Sequence, residues 1–278
     1  MKSSSLRPES LCAVLCLFLL AATQAAADGF SVLVSPPRLE LAGKPGEVIR
    51  DHIEISNPDN RPISLELRTA DWEMSETGAT TFYPPELQPG SCRPWTRIER
   101  HSLRLPPQAS KRYRFQIDIP AGAPAGECRL ALLLQAPEEE AVMTRADALT
   151  IPVQGRIAVV IYVAVGDARP ELQLEDMRME EINGQLLPVA VLHNRGNAHA
   201  RTAGFVDATD ARGKRLEFAV AALPILPGQT RRVPLQRTLV EGEAAEVLAL
   251  PLDVSGSIEW QTGKIPVDTR IKQSPVTD

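Results

Sequence analysis

The sequence predicts an all-β protein built as two β-sandwiches in tandem, and three observations carry that expectation. Apolar and polar residues alternate with period two in run after run, as half-buried strands require. Clusters of Gly, Pro and Asn punctuate those runs at the spacing of a sandwich. Past the first 27 residues, no segment sustains a helical period.

Taken in order, the chain opens on Lys2 and Arg7, then the apolar run Leu11 to Ala22, then Ala25-Ala26-Ala27. A charged start, a short apolar stretch and small residues at its end read as a secretion signal over 1–27, cleaved after Ala27. Cys12 and Cys16 leave with that leader. Loss of Lys2, Arg7 and Glu9 takes the −5 of the whole chain to −6. With 44% apolar residues in 278, the chain has enough to bury to exclude disorder. After the signal, no apolar run approaches the roughly 20 residues of a membrane span. An acidic chain with 4% aromatics and no basic block argues against nucleic acid as a partner.

Ile53 and Ile55 open the strand series, followed by Ile63, Leu65 and Leu67. Tyr113, Phe115, Ile117 and Ile119 then alternate with Arg112, Arg114, Gln116 and Asp118, a half-buried antiparallel strand. Cys92 and Cys128 are the only cysteines left after export. With no CxxC and no nearby His, a pair in an oxidising compartment reads as one structural disulfide. Closing that loop of roughly 37 residues is expected to add about 4 kcal/mol as an upper figure. Pro137 to Asp147 is polar and acidic, and reads as a solvated loop or an acidic recognition patch.

Residues 149–165 (LTIPVQGRIAVVIYVAV) stand apart. Every odd position except Gly155 is apolar, from Leu149, Ile151 and Val153 on to Val165. A single strand of that length would run about 55 Å, three times the usual reach. From Ile157 onward both faces are apolar and belong in a core. Before Gly155 one face is polar, and Pro152 cannot donate a ladder bond, which suits a sheet edge. Leu149 to Val153 either pair within the first sandwich, with Gly155 as a bulge, or offer an edge to another protein by strand addition.

Gly166-Asp167-Ala168-Arg169-Pro170 reads as a hinge, giving an N-terminal domain over 28–165 and a C-terminal domain over 166–278. In the second, Leu187, Val189 and Val191, then Leu216, Phe218 and Val220, then Leu248, Leu250 and Leu252 repeat the alternation. About seven strands fit on each side of residue 166, the number of an immunoglobulin-like sandwich. His193 and His199, beside Asn194 and Gly196, read as a surface turn, since no Cys, Asp or Glu stands at metal-ligand spacing. Trp72, Trp95 and Trp260 read as packing residues. There is no GxSxG, HExxH, phosphate loop or dinucleotide fingerprint, so neither a catalytic residue, a metal nor a cofactor is expected.

The run Val34-Ser35-Pro36-Pro37-Arg38-Leu39-Glu40-Leu41, then Ile53-Glu54-Ile55-Ser56-Asn57, an acidic segment, and the alternating Leu149, Ile151, Val153 before Arg156-Ile157 together resemble the periplasmic chaperones of the chaperone–usher pathway. The resemblance implies two immunoglobulin-like domains whose long strand donates Leu149, Ile151 and Val153 to an incomplete pilus or other secreted surface subunit, with an outer-membrane usher as a further partner. It also implies a pair of cations in the cleft that hold the client's terminal carboxylate. Arg38 matches the first. Ala158 stands where the family has a lysine, and Arg156, on the same strand face about 6.6 Å away, is the expected substitute. Arg38 also reads as an ordinary exposed charge near a turn. Leu187 to Arg201 and Leu226-Pro227-Gly228 are similar to a wider group of exported two-domain chaperone-like proteins. A non-catalytic binding or scaffold protein of the cell envelope with the same fold is the alternative function.

Overall fold

The computed structural model describes residues 31–76, 78–137, 142–146, 149–153, 155–238 and 247–272. The secretion signal expected over 1–27 lies outside them. In the first half of the chain the strands are β1 (Leu33–Ser35), β2 (Arg38–Gly43), β3 (Val48–Ser56), β4 (Ile63–Met74), β5 (Thr80–Tyr83), β6 (Thr96–Ile98), β7 (Ser102–Leu105), β8 (Ser110–Asp118), β9 (Gly126–Gln135), β10 (Val142–Ala146), β11 (Leu149–Val153) and β12 (Arg156–Val165). In the second they are β13 (Leu172–Ile182), β14 (Gln185–Asn194), β15 (Ala200–Arg201), β16 (Phe205–Thr209), β17 (Arg215–Val220), β18 (Pro224–Ile225), β19 (Thr230–Arg237), β20 (Leu252–Trp260) and β21 (Gly263–Ile271). The fold is all-β, with more and shorter strands than the seven expected on each side.

The first sandwich stacks the sheet β1-β3-β8-β6 on the sheet β2-β12-β9-β4-β5, with β7 paired to β4. Period two does the work the sequence suggests: Tyr113, Phe115 and Ile117 of β8 are buried while Arg112 and Arg114 face out. The opening apolar run is split between the sheets. Pro36 and Pro37 cannot donate ladder bonds, so β1 ends beside β3 and the chain crosses to form β2 along β12. There β2 runs parallel to β12, with Arg38 opposite Val160 and Glu40 opposite Tyr162. Cys92 and Cys128 form a disulfide with Cα atoms 5.3 Å apart, tying the segment before the 3₁₀ turn Arg93–Trp95 to β9.

In the second half a seven-stranded sheet, β13-β14-β19-β17-β16-β20-β21, curls until its end strands β13 and β21 approach one another, enclosing one core that includes Phe218, Val233 and Leu252. The short pair β15-β18 lies apart from it. The expected strand through Leu248 and Leu250 begins only at Leu252. Pro251 lacks a ladder donor, and the two leucines pack half-buried on the core without joining the sheet.

Two further expectations change. Residues 149–165 are two strands, β11 and β12, with Gly155 outside both. The acidic segment 137–147 is not all loop, because Val142–Ala146 is a strand: β10 pairs antiparallel with β11, Thr144 opposite Ile151. Residues 142–146 alternate too weakly to announce themselves, and only their neighbour reveals them. The hinge segment is fastened to the second half. Arg169 N–H donates to Asn197 Oδ1 (2.8 Å), Asn197 N–H to the Arg169 carbonyl (3.0 Å) and Arg195 N–H to the Glu171 carbonyl (2.8 Å). Gly196 permits this approach, since a Cβ there would stand 2.4 Å from the Arg169 carbonyl oxygen.

Candidate functional site

β12 has two apolar faces with different covers. Val159, Ile161, Val163 and Val165 point into the first core. Ala158, Val160 and Tyr162 join a second cluster with Ala70, Trp72, Ala131 and Leu133, and that cluster is closed by Leu226 from the second half of the chain. The outer face of the five-stranded path of the larger sheet is therefore the floor of a cleft between the two halves.

Registry orders that floor in rows. Nearest the hairpin stand Arg156, Gln135 and Glu66; next come Ala158, Leu133 and Arg68. Arg38, Val160, Ala131 and Ala70 form the third row, and Glu40, Tyr162 and Arg129 the fourth. In the two middle rows β12 and β9 supply apolar residues, and one arginine stands at an end of each, Arg68 on β4 and Arg38 on β2. Trp72 sits over the fourth row, with the Arg129 guanidinium 5.6 Å from its ring centre and Tyr162 edge-on at 5.5 Å. Its indole N–H donates to the Leu130 carbonyl at 3.2 Å. Trp95 and Trp260 are half-buried against the first and second cores, the packing role expected of all three.

From the opposite wall His199 reaches down onto this row. Its ring stacks on Tyr162 at 3.9 Å, and its Nδ1–H donates to Glu127 Oε2 at 2.5 Å, with the His199 backbone N–H on the same oxygen at 3.2 Å. Both His199 and the Glu127 carboxylate are buried. The expectation of a surface turn at His193–His199 is thus corrected. The turn exists and Arg195 and Asn197 in it are exposed, but His199 is buried under the first half of the chain, and no local pattern in residues 193–199 could reveal a cover contributed by Glu127 and Tyr162. Arg231 crosses the same boundary, donating to the Pro224 carbonyl at 2.6 Å and touching the Met74 sulfur.

The charges respond to burial. Tyr162 is pushed up to about 12, chiefly because its phenolate would be stripped of water. Arg201 is held below the usual guanidinium range by burial first and by the nearby Arg38 second. Burial likewise lowers Arg231.

The residues singled out from sequence are distributed unevenly over this surface. Arg38 begins β2 at the cleft and pairs with Glu40 at 2.8 Å. Arg156 begins β12 on the same face, exposed, four residues and about 13 Å along the strand from Val160, the residue opposite Arg38. Leu149, Ile151 and Val153 lie on β11, which pairs with β10 alone among the described residues; the side chains of 149–153 are not among those described. Sequence reasoning missed Glu127, Tyr162, His199, Arg201 and Arg231. The one signal any of them carries is polarity between apolar neighbours, at Tyr162 between Ile161 and Val163 and at His199 between Ala198 and Ala200; Arg201 and Arg231 carry none.

No family model and no curated protein matches the chain. Among solved structures it is similar to the class 5 fimbriae chaperone CfaA, at 14% identity and TM-score 0.44, over 87% of this chain and all of that one. It is similar to a chain of the CsuC–CsuE chaperone–tip adhesion subunit complex from the archaic chaperone–usher Csu pili of Acinetobacter baumannii, at 12% identity and TM-score 0.44, over 87% and 98%. A chain of the Salmonella enterica SafA pilin–SafB chaperone complex is similar at 14% and 0.44, over 88% and 99%.

Proposed function

We propose that the protein is a non-catalytic periplasmic chaperone that binds exported pilus or other surface-structure subunits by lending them β11 as an edge strand. In this reading residues 28–165 form the client-binding domain and 166–278 the second domain that walls the cleft. Leu149, Ile151 and Val153 enter the client's open core, each burying apolar surface worth about 1.5–3 kcal/mol. The ladder bonds of the added strand supply the rest of the affinity. Arg38, with Arg156 on the same face, receives the client's terminal carboxylate, and an outer-membrane usher takes the loaded complex onward.

One observation carries this reading: β11 has β10 on one side and no strand on the other among the described residues. An edge of that kind invites pairing with another chain. The test is recovery of a subunit with the tagged protein from periplasm. Replacing Ile151 and Val153 together by Asp should cut recovered subunit at least tenfold, while thermal unfolding stays as in the wild type. Undiminished recovery rejects the donor role.

A further inference from the structure

The sheet β1-β3-β8-β6 covers the first core with one face and turns the other away from the cleft. Period two decides what that outward face carries. Arg50, His52 and Glu54 of β3, Arg97 of β6, and Arg112 and Arg114 of β8 are all exposed. Registry sets Glu54 opposite Arg112 and His52 opposite Arg114, with Gln116 between Arg50 and Arg97. The four arginines line a groove of about 510 Å³ whose acidic members are Asp51 and Glu99. Both carboxylates are engaged elsewhere. Asp51 accepts the His52 backbone N–H at 2.8 Å. Glu99 accepts the Arg114 backbone N–H at 3.2 Å and the Arg100 guanidinium at 2.8 Å. Arg97 pairs with Asp118 at 2.7 Å. Among the described residues the side chains of Arg50, Arg112 and Arg114 make neither an ion pair nor a hydrogen bond, and Glu54 faces Arg112 without closing a pair.

We propose that this outward face is a docking surface for an extended acidic segment of another protein, seated along β8 with carboxylates on Arg112 and Arg114 and reaching toward Arg50 and Arg97. The spacing fits. Alternate side chains of an extended chain recur every 6.7 Å or so, which is the separation of Arg112 from Arg114 on their strand. Carboxylates two residues apart in the partner therefore meet successive guanidinium forks, each able to take one bidentately. The charge fits as well. The groove lining carries two net positive charges, with His52 neutral, on a chain of net −5. A short acidic segment is drawn to that spot, whereas a duplex or an anionic bilayer also meets the acidic remainder of the chain. None of the exposed large hydrophobic side chains among the described residues lines the groove, which leaves an apolar partner nothing to grip. The surface is separate from β11 and from the cleft, so the inference does not depend on strand donation.

The test is fluorescence anisotropy of a labelled, capped peptide alternating glutamate with threonine, titrated with the purified protein at low salt. A peptide with glutamine in place of glutamate is the control and should not bind. Arg112→Gln with Arg114→Gln should raise the dissociation constant at least about tenfold, whereas Arg270→Gln, an exposed arginine of the second half, should leave it unchanged. Arg112→Glu with Arg114→Glu should lose the glutamate peptide and take up one alternating lysine with threonine, which the wild type ignores. The altered side chains are exposed, so these variants should melt as the wild type does. If one melts early, Arg50→Gln with Arg97→Gln replaces it and should weaken binding at least about threefold. Equal binding of the glutamate and glutamine peptides, or an equal loss on Arg270→Gln, would overturn the proposal. So would firmer retention by phosphatidylglycerol vesicles or duplex DNA than by the peptide, which would assign the face to phosphate.

Discussion

β11 and β12 are consecutive in the chain and continue one alternation of apolar odd positions, yet they have different surroundings. β12 lies between β2 and β9, its odd side chains pack into the first core, and Ala158, Val160 and Tyr162 of its even side join a cluster that Leu226 of the second half closes. β11 has β10 for its one strand neighbour among the described residues. Alternation therefore encodes which residues share a face, while the number of neighbours decides whether that face is structural or on offer. The sharpest way to break the contrast is a charge on β12. Ile161 is fully buried, and Ile161→Asp should cost at least about 4 kcal/mol and leave no folded protein by circular dichroism. A variant that melted like the wild type would remove β12 from the core.

A smaller effect is expected from the cross-link beside β12. Cys128 of β9 stands opposite Val163 and is bonded to Cys92. Replacing both cysteines by Ala should lower stability to urea by about 2–4 kcal/mol, through a looser unfolded chain. The loss should appear equally in wild type and in the Ile151→Asp, Val153→Asp protein, because among the described residues β11 pairs with β10 and not with the cross-linked sheet. A loss that vanished in the latter would tie the hairpin to the sandwich.

The cleft face of β12 offers a titration. Tyr162 is raised to about 12 by burial, against an ordinary value near 10. Its neutral form is the one the fold accommodates, so the stabilisation is full below pH 10 and is lost as pH climbs from about 10 to about 12, on the order of 2–3 kcal/mol. Absorbance at 295 nm should show one phenol ionising near pH 12 that disappears in Tyr162→Phe. If all the tyrosines ionised together near pH 10, the cleft would be open to water and β12 would have one buried face, not two.

The contrast also marks how far the sequence can be read. The strands of β3, β8 and β17 follow from alternation, because each has one face in a core and the other turned outward, whereas β4 and β14 are buried on both faces along part of their length. The disulfide follows from the expectation that export leaves Cys92 and Cys128 as the only two of the four cysteines. What could not be read has a common cause, which is that its cover comes from far along the chain. Glu127 and His199 are 72 residues apart, and neither carries a local mark of burial. Arg201 looks like any surface arginine after a strand until Arg38 and Glu40 are brought to it. The division of 149–165 into two strands was half visible in Pro152 and Gly155. The partner of β11 was not, since Val142 to Ala146 mixes polar and apolar residues without a clean rhythm.

The smallest expected effect on stability is the most informative counterpart to Ile161→Asp. Ile151 occupies an odd position on β11 as Ile161 does on β12, and the same chemical change is made at both. Among the described residues β11 pairs with β10 alone, and an isolated two-stranded pair adds little to the cooperative unfolding of the sandwich. Ile151→Asp should therefore move the free energy of unfolding by no more than about 0.5 kcal/mol, the range of ordinary surface changes. Thermal melts of the two single variants beside the wild type measure the difference directly. A drop at Ile151 approaching that at Ile161 would mean that the hairpin's apolar side is buried within the protein itself, and that nothing is left to lend.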